Sequence, residues 1–332
     1  MILATIDTTP SNPDGTVCVV HPNRTIVAVP PEGLMHGKGS LIEALDKWSL
    51  STRCLREIYS ALVCGETSGL HIIPVHECEF GSPLPRSWAF LDASAFIQHV
   101  KLARQARGVD LPAELETTPL MYQGASDNFL GPNDDIPIRD TSDGVDFESE
   151  IGIIVDHVPQ GTTAAEAEKH IKLIVLLNDI TLRELVPREV GTGFGFIQSK
   201  PPSAFAPFAV TPDEFGSAWK DGRLHLPVRT TLNGKLIGTP NAGQMYFSFH
   251  QLIAHAAATR PLSAGTILGS GTVSNEDPAT GSGCLAELRM LEKIATGAIS
   301  TPWLKEGDTV SISVSHDGVD VFGTINQRLR KL

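Results

Sequence analysis

Three acidic residues at alternate positions, Asp146, Glu148 and Glu150, lead into the apolar run 151–155, which predicts a buried strand. Because side chains along a strand alternate between its two faces, the three carboxylates project from one face. Carboxylates this close repel one another, and a divalent cation such as Mg²⁺, Mn²⁺ or Ca²⁺ would relieve that repulsion. On spacing alone, a solvated strand face at a sheet edge explains the pattern equally well.

The first part of the chain is predicted to form a small α+β unit over residues 1–85. Short β-type runs at 16–20 and 25–29 are separated by Asn, Pro and Gly turns, and apolar residues at helical spacing follow over 41–62. A Gly-Ser-Pro-Leu-Pro linker ends this unit, so a second unit is expected over 86–332.

The larger unit is predicted to place helices and strands around the acidic stretch. One helix is expected over 93–107 and another over 162–177. The segment 191–207 is long and rich in Gly and Pro, and segments of this kind often carry function. From residue 224 onward the pattern is mostly that of short strands broken by turns, such as the Asn-Gly hairpin signal at 233–234.

Charge and composition argue against several classes of protein. The chain has 332 residues, a formal net charge of -12 and a pI of about 5.3. An acidic chain is a poor partner for nucleic acid or an anionic membrane, and no apolar run is long enough to span a bilayer. Five cysteines without a CxxC pair, and an N-terminus without a signal-peptide pattern, predict a cytoplasmic protein with reduced thiols.

Three separated motifs resemble those of the fumarylacetoacetate hydrolase family. The acidic strand, 146–152, is similar to that family's D-x-E-x-E-x-G metal strand. Residues 178–183 are similar to its N-D-x-[ST]-x-R segment, and residues 270–274 to its S-G-T-x-S turn. The motifs occur in the family's order, so the resemblance covers about 86–332. It implies an α+β fold, a mixed β-sandwich roll preceded by the small N-terminal α+β domain.

The resemblance also implies a divalent cation held by four carboxylates, with Mg²⁺ expected and Mn²⁺ or Ca²⁺ as alternatives. The matching positions are Asp92, Glu148, Glu150 and Asp179. Asp92 is included because it lies seven residues before His99, which is the family's spacing between a ligand and the catalytic histidine. Asp146 is assigned to hydrogen bonding or strand-end packing. A helix N-cap at Asp92 and a helix C-terminal turn at Asp179 remain as structural alternatives.

A water-activating pair, His99 with Glu287, follows from the same resemblance. The resemblance also implies two cations, Lys200 and Arg183, that bind a substrate carboxylate or stabilise an oxyanion. Tyr122 and Thr272 are implied to contact the substrate. Each position has a plain alternative, such as a structural histidine, an exposed helix glutamate, a solvated lysine or a half-buried loop tyrosine.

These positions imply metal-dependent hydrolysis of a carbon–carbon bond in a small molecule, either a β-diketo acid or an acylpyruvate. The resemblance also implies a homodimer, which is typical of the family. Ser94 and Val186 stand where the founding enzyme type has a substrate-contacting Tyr and an oxyanion-site Gln. Fumarylacetoacetate itself is therefore not assigned as the substrate. Two other functions fit the same residues: decarboxylation or tautomerisation of an oxaloacetate-like 2-oxo acid, and non-enzymatic binding of a small molecule.

Overall fold

The structure, a computed structural model, describes residues 1–31, 39–107, 110–111 and 113–332. Two helices begin at serine caps: Ser40 and Ser248 each accept a hydrogen bond from the backbone N–H three residues later. The described α-helices are α1 (Leu41–Asp46), α2 (Trp48–Cys64), α3 (Ile97–Arg107), α4 (Ala164–Ala167), α5 (Val186–Thr192), α6 (Phe249–Ala256) and α7 (Leu285–Thr296). Short 3-10 helices lie at Val75–Glu77, Thr141–Asp143, Glu168–His170, Pro212–Ala218, Ala242–Gln244 and Pro278–Thr280.

Strands occupy much of the remaining chain. They are β1 (Ile2–Ile6), β2 (Thr16–Val20), β3 (Ile26–Val29), β4 (His71–Pro74), β5 (Phe90–Ala93), β6 (Met121–Gly124), β7 (Ile136–Ile138), β8 (Val145–Asp146), β9 (Ser149–Val155), β10 (Ile171–Asn178), β11 (Thr181–Leu182), β12 (Ala204–Phe205), β13 (Ala209–Val210), β14 (Trp219–Lys220), β15 (Arg223–Leu224), β16 (Val228–Leu232), β17 (Lys235–Gly238), β18 (Ile267–Gly269), β19 (Thr309–His316), β20 (Val319–Asp320) and β21 (Ile325–Lys331).

One large mixed sheet forms the centre of the molecule. Its strand order is β4-β3-β2-β1-β13-β10-β9-β18-β5-β6, with β12 paired to β10. Strands β18 and β5 run parallel, and the central pair β9 and β10 runs antiparallel. A second sheet has the order β17-β16-β19-β21-β7, with β20 paired to β19. The mixed α+β architecture of several sheets confirms the predicted fold class.

The central strands β9 and β10 are buried on both faces. Ile151, Ile153 and Val155 pack in one hydrophobic cluster, whereas Ile154 packs in the other with Leu173. Alternate residues of one strand thus belong to opposite cores, as the period of two requires. This double burial makes the middle of the sheet a rigid platform for side chains at the ends of its strands.

The helix predicted over 162–177 is wrong for most of its length. Only Ala164–Ala167 is α-helical, and Ile171–Asn178 is the central strand β10. A continuous apolar run buried on both faces has no alternation to identify it as a strand. The β-branched residues Ile171, Ile174 and Val175 were the available signal for a strand.

Other elements differ at their boundaries. The helix predicted over 41–62 is two helices that meet at Lys47, and the helix predicted over 93–107 begins at Ile97. Asp92 therefore lies on β5 and does not cap a helix. The region after residue 224, predicted to be mostly strands, also contains α6 and α7. The Asn-Gly hairpin is confirmed, because both of its turn residues have positive φ between β16 and β17.

Residues 1–85 contribute β1 to β4 to the large sheet. Strand β1 pairs with β13 through Ile2 and Val210 and through Leu3 and Ala209, so hydrogen bonding is continuous across the predicted boundary. The division at residue 85 stays a prediction. All five cysteines are free thiols. Within the described ranges, every helix is too short or too polar to traverse a bilayer.

Candidate metal centre and active site

Three strands near one another in the large sheet, β5, β9 and β10, bring carboxylates to one place. Asp92 on β5 pairs in register with Gly269 on β18, and Gly269 in turn faces Gly152 on β9. Glu150 lies two residues before Gly152 on the same strand, and Asp179 directly follows β10. Asp92 and Asp179 are 87 positions apart in the sequence, but they meet because only β9 and β18 separate their strands in the sheet.

Asp92, Glu150 and Asp179 form a buried carboxylate triad. One oxygen of each lies within 4.8 Å of the others, and the three residues are at most 3% exposed. The backbone N–H of Gly271 donates to Asp92 Oδ1 at 3.2 Å and to Glu150 Oε2 at 3.1 Å. The other oxygen of Glu150, Oε1, is buried and has no hydrogen-bond partner among the described residues.

The electrostatics of this triad are those of crowded, desolvated acids. Burial and the charge of Asp179 raise the pKa of Asp92 to about 8. Burial and the charge of Asp92 raise the pKa of Glu150 well above its usual range. A bound cation would supply positive charge that favours the ionised forms of Asp92 and Glu150.

Glu148 differs from Glu150 although the two are only two residues apart. It accepts hydrogen bonds from Lys200 Nζ at 2.6 Å and Arg183 Nη2 at 2.8 Å. Burial opposes its ionisation, but these two cations outweigh burial and hold the pKa of Glu148 well below its usual range. Thr181 and Thr272 also donate to its carboxylate, at 3.0 and 2.8 Å.

The donor set fits a hard divalent cation. The triad consists of oxygen donors only, its members are buried, and one oxygen lacks a partner. Glu148 lines the same cavity but does not belong to the group whose donor atoms all lie within 4.8 Å. The nearest described positive charge is Lys200, which contacts both Glu148 and Asp179. Asp92, Glu150 and Asp179, with Glu148 beside them, are the residues that could hold the ion.

Asp146 supports the start of α7. Its two oxygens accept the backbone N–H groups of Leu285 at 2.8 Å and Ala286 at 2.9 Å, and Arg183 Nε donates to it at 2.9 Å. A carboxylate at a helix N-terminus satisfies unpaired N–H groups and complements the helix dipole. This contact fixes the first turn of α7, which carries Glu287.

His99 and Glu287 are in direct contact. His99 Nδ1, on α3, lies 3.1 Å from Glu287 Oε2, on α7. Glu287 is 1% exposed, whereas the His99 side chain is 17% exposed and lines the cavity that contains the carboxylates. The exposed helix glutamate considered from the sequence is therefore not what the structure shows. An imidazole oriented by a buried carboxylate can accept a proton from a water molecule.

Tyr122 and Ser203 both hold Asp179. The Tyr122 hydroxyl donates to Asp179 Oδ2 at 2.6 Å, and Ser203 Oγ donates to Oδ1 at 2.7 Å. Burial and the charge of Asp179 raise the pKa of Tyr122 well above its usual range, so it remains a donor. Tyr122 also packs edge-on against Phe196 with ring centroids 5.0 Å apart, which makes it part of the cavity wall.

The cavity at this site has a volume of about 160 Å³. Its polar lining includes Asp92, Glu148, Glu150, His99, Lys200 and Arg183. Its apolar lining includes Phe96, Val186 and Phe196, and Ser94 also lines it. The space therefore suits a small molecule that has both charged and apolar groups.

A structured loop closes one side of the cavity. Glu189 on α5 accepts hydrogen bonds from the backbone N–H groups of Ile197, Gln198 and Ser199 and from the Ser199 hydroxyl. Slight burial opposes its ionisation, but these hydrogen bonds dominate and lower the pKa of Glu189 to about 2. The loop it closes carries Phe196 and leads directly to Lys200.

All ten residues assigned from the sequence lie around one cavity or contact a residue that does. Sequence reasoning missed Ser203, Phe196 and the Gly271 N–H. The Gly271 donor lies in the S-G-T-x-S motif, but no spacing distinguishes Ser203 or Phe196 from residues of an ordinary loop.

Comparison with known proteins gives two family matches that together span the chain. Residues 89–330 match the model described as fumarylacetoacetate (FAA) hydrolase C-terminal, and residues 1–86 match the model described as fumarylacetoacetase N-terminal domain 2. A 2,4-didehydro-3-deoxy-L-rhamnonate hydrolase from Sphingomonas sp. (strain SKA58) is 26% identical over 81% of this chain and 83% of its own length.

Other relatives catalyse different reactions. A human mitochondrial oxaloacetate tautomerase is 22% identical over 61% of each chain. The crystal structure of maleylpyruvate hydrolase from Sphingobium sp. SYK-6 superposes with a TM-score of 0.65 and 17% identity, covering 100% of both chains. A structure of that enzyme with manganese(II) and pyruvate has a TM-score of 0.64, 18% identity and 99% coverage of its chain. These structures share the fold.

Proposed function

Because the chain belongs to the fumarylacetoacetate hydrolase family, we propose that it is a divalent-metal-dependent hydrolase that cleaves a carbon–carbon bond in a β-diketo acid or acylpyruvate. The observation that carries this proposal is the contact between His99 and Glu287 beside a cavity lined by carboxylates. A small-molecule binder has no need of a water-activating pair at such a place.

Asp92, Glu150 and Asp179, together with Glu148, would hold the cation. When bound, Mg²⁺ or Mn²⁺ supplies Lewis-acid polarisation of a substrate carbonyl. The manganese in the related maleylpyruvate hydrolase supports a hard divalent ion for this chain as well.

His99 is proposed as the general base. Glu287 fixes the imidazole through Nδ1, so Nε2 is the nitrogen left to face the cavity and accept a proton from water. The hydroxide so formed adds to the distal carbonyl of the substrate. Cleavage of an acylpyruvate then gives a free carboxylic acid and pyruvate, with the proton on His99 returned to the pyruvate methylene carbon.

Lys200 and Arg183 are proposed to stabilise developing negative charge. Both lie in the cavity wall, and the carboxylates of Glu148, Asp179 and Asp146 hold them in fixed positions. Burial opposes the charge on Lys200, but Asp179 and Glu148 outweigh it and raise its pKa above the ordinary value. A fixed cation needs no reorganisation when charge develops beside it.

A second candidate function is decarboxylation or tautomerisation of an oxaloacetate-like 2-oxo acid. Relatives named oxaloacetate tautomerase favour it. This chemistry uses the same carboxylate centre but no hydrolytic water, so it does not require the contact between His99 and Glu287. Assembly as a homodimer and a cytoplasmic location stay predictions.

The test is the absorbance of an enolised acylpyruvate incubated with the purified chain, first with Mg²⁺ and then with EDTA. Decay that EDTA abolishes, with pyruvate and a free acid as products, supports hydrolysis. Folded, Mg²⁺-loaded protein that leaves acylpyruvates intact but converts oxaloacetate supports the second candidate. Stoichiometric binding of a 2-oxo acid with no turnover of either substrate supports a binder.

A further inference from the structure

The pair formed by His99 and Glu287 has a third neighbour, the thiol of Cys284. A ring nitrogen of His99, the sulfur of Cys284 and a carboxylate oxygen of Glu287 all lie within 4.8 Å of one another. We propose that these three side chains form a second metal site, which takes a thiophilic divalent ion such as Zn²⁺ and thereby withdraws His99 from water activation.

Local structure holds two of the three donors together. Cys284 is the N-cap of α7, and its sulfur accepts the backbone N–H of Glu287 at 3.4 Å. His99 reaches them from α3, where its Nδ1 lies 3.1 Å from Glu287 Oε2. Tetrahedral zinc with bonds of about 2.0–2.3 Å places neighbouring donors about 3.5 Å apart, so small side-chain rotations suffice.

The donor types separate this site from the carboxylate triad. Asp92, Glu150 and Asp179 offer oxygen only, which suits Mg²⁺, Mn²⁺ and Ca²⁺. His99, Cys284 and Glu287 offer nitrogen, sulfur and oxygen, a set that Zn²⁺ favours and Mg²⁺ does not. The two sites are therefore expected to select different ions.

Of the three donor residues, His99 is the one that lines the cavity. Cys284 is completely buried behind it. Burial and the charge of Asp146 raise the pKa of the Cys284 thiol well above its usual range, so a bound cation would have to displace the thiol proton. Glu148 and Glu287 add negative charge near the thiol, and Arg183 adds positive charge. Negative groups outnumber the positive one, and Arg183 is already paired with two of them.

The test uses cobalt(II) as a probe for zinc, on the full chain in excess Mg²⁺ so that the carboxylate triad is filled. Coordination by a thiolate gives a near-ultraviolet charge-transfer band that oxygen ligands do not give. Wild-type protein is expected to develop this band to saturation at one equivalent. Cys284→Ser should lose it, while Cys64→Ser, which changes an exposed thiol, should retain it.

Serine is a better N-cap than cysteine, so Cys284→Ser is expected to fold, and a thermal melt verifies this. His99→Gln provides a second variant if it does not fold. Zn²⁺ affinity, measured against a chromophoric chelator in excess Mg²⁺, should fall at least about tenfold in either variant. The absence of a band in folded wild type, or a full band in folded Cys284→Ser, would overturn the proposal.

Zinc binding at this site does not depend on the proposed hydrolysis, but its inhibitory effect does. If the cobalt band appears and no acylpyruvate is cleaved, the metal site stands and the proposed function fails. If cleavage occurs and the band is absent, the reverse holds. If both appear, Zn²⁺ should inhibit wild type at a concentration at least about tenfold lower than Cys284→Ser, each measured against its own uninhibited rate.

Discussion

Individual residues of this site have different proposed roles: some bind or stabilise charge, and His99 transfers a proton. Burial raises the pKa of both Glu148 and Glu150, but Arg183 and Lys200 outweigh it at Glu148, whereas the charge of Asp92 adds to it at Glu150. His99 is oriented by a carboxylate that takes no part in the triad. Substitutions at His99 and Lys200 therefore test different parts of the site.

His99→Ala is expected to lower kcat for acylpyruvate cleavage by roughly 10²–10⁴, the usual contribution of a general base. KM should change little, because His99 is not proposed to hold the substrate. The exposed His71 provides the control, and His71→Ala should behave as wild type. If His99→Ala converts oxaloacetate at nearly the wild-type rate and wild type does not cleave acylpyruvates, then tautomerisation or decarboxylation is the better account.

Lys200→Ala is expected to destabilise the chain by about 3–5 kcal/mol in EDTA, because it leaves Asp179 buried without its cation and Glu148 with Arg183 alone. Mg²⁺ should recover part of this loss by supplying positive charge at the same place. Urea unfolding with and without Mg²⁺ measures both effects. Lys101→Ala removes an exposed pair with Glu116 and should cost at most about 1 kcal/mol. Equal stability of the two variants would contradict the role assigned to Lys200.

The sequence predicted which residues form the site, but it did not predict which partner each of them contacts. Charged residues at fixed spacings, such as Glu148 and Glu150 or Asp179 and Arg183, are visible without a structure. The partner of each one is not, because it depends on which strands become neighbours. The contact of Arg183 with Asp146, 37 positions away, comes from the pairing of β8 with β11.

At the scale of the secondary-structure elements, the carboxylates are held in place because neighbouring strand backbones approach them closely. Strand β18 lies between β5 and β9, and a Cβ atom at Gly269 would collide with Asp92 Oδ1 and lie 3.1 Å from Glu150 Oε2. Only glycine leaves room for both carboxylates to turn toward the same point. The triad therefore depends on a residue that offers no ligand.

Gly269→Ala is expected to weaken Mg²⁺ binding at least about tenfold, because small displacements of metal ligands and their supports typically cost 10–100-fold. The rise in melting temperature on Mg²⁺ titration measures it. Gly191→Ala is the matched control, since a Cβ atom there meets nothing within 4 Å and its φ is ordinary. Wild-type Mg²⁺ affinity in Gly269→Ala would show that the triad is not the metal site.

Element boundaries were the least predictable feature. The pattern around β9 was identified because acids and apolar residues change abruptly at Glu150. The sequence of β10 predicts a helix because both faces of the strand are apolar and show no alternation. Its position in the middle of the sheet is what makes it a strand. The loop closed by Glu189 could not be predicted at all, because its hydrogen bonds come from consecutive backbone groups rather than from a side-chain pattern.

Glu189→Gln is expected to loosen the loop that carries Phe196. Hydrogen bonds to a charged acceptor contribute about 1.5–3 kcal/mol each, so the open state should become at least about tenfold more populated. Limited digestion with chymotrypsin measures this, because Phe194 is 97% exposed and Phe196 follows it closely. Glu166→Gln removes a similar exposed acceptor at α4 and should not change the cleavage rate in this loop. Equal rates in the two variants would contradict the role of Glu189.

The same loop should depend on pH in wild type. The folded-state pKa of Glu189, about 2, lies below its ordinary value of 4.5. The stabilisation is therefore fully present above pH 4.5 and is lost as the pH falls toward 2. Amide exchange at 197–199, corrected for intrinsic rates, should show protection that declines across this window. Protection that is constant down to pH 2 would rule out the charged form of Glu189 as its cause.

At the scale of the whole molecule, hydrogen bonding and hydrophobic packing continue across the division predicted at residue 85. Strand β1 pairs with β13, and Met1, Leu3 and Val17 share a hydrophobic cluster with Phe90 and Val175. The strands that carry the carboxylates lie in the same sheet. The family match of residues 1–86 marks a unit of sequence, whereas the packing joins it to the remainder of the chain.

A fragment comprising residues 86–332 is therefore expected to be poorly soluble and to lack a cooperative melt. It would expose the edge of β13 together with the apolar faces of Phe90, Ile154 and Val175 that the first four strands and α2 cover. The full chain should unfold in a single transition, and coexpression of 1–85 with 86–332 should restore a soluble complex that binds Mg²⁺. A fragment that melts cooperatively and binds Mg²⁺ like the full chain would instead establish two independent domains. In that case the hydrogen bonds between β1 and β13 would be a docking contact, and the carboxylate centre would not need the N-terminal strands for its rigidity.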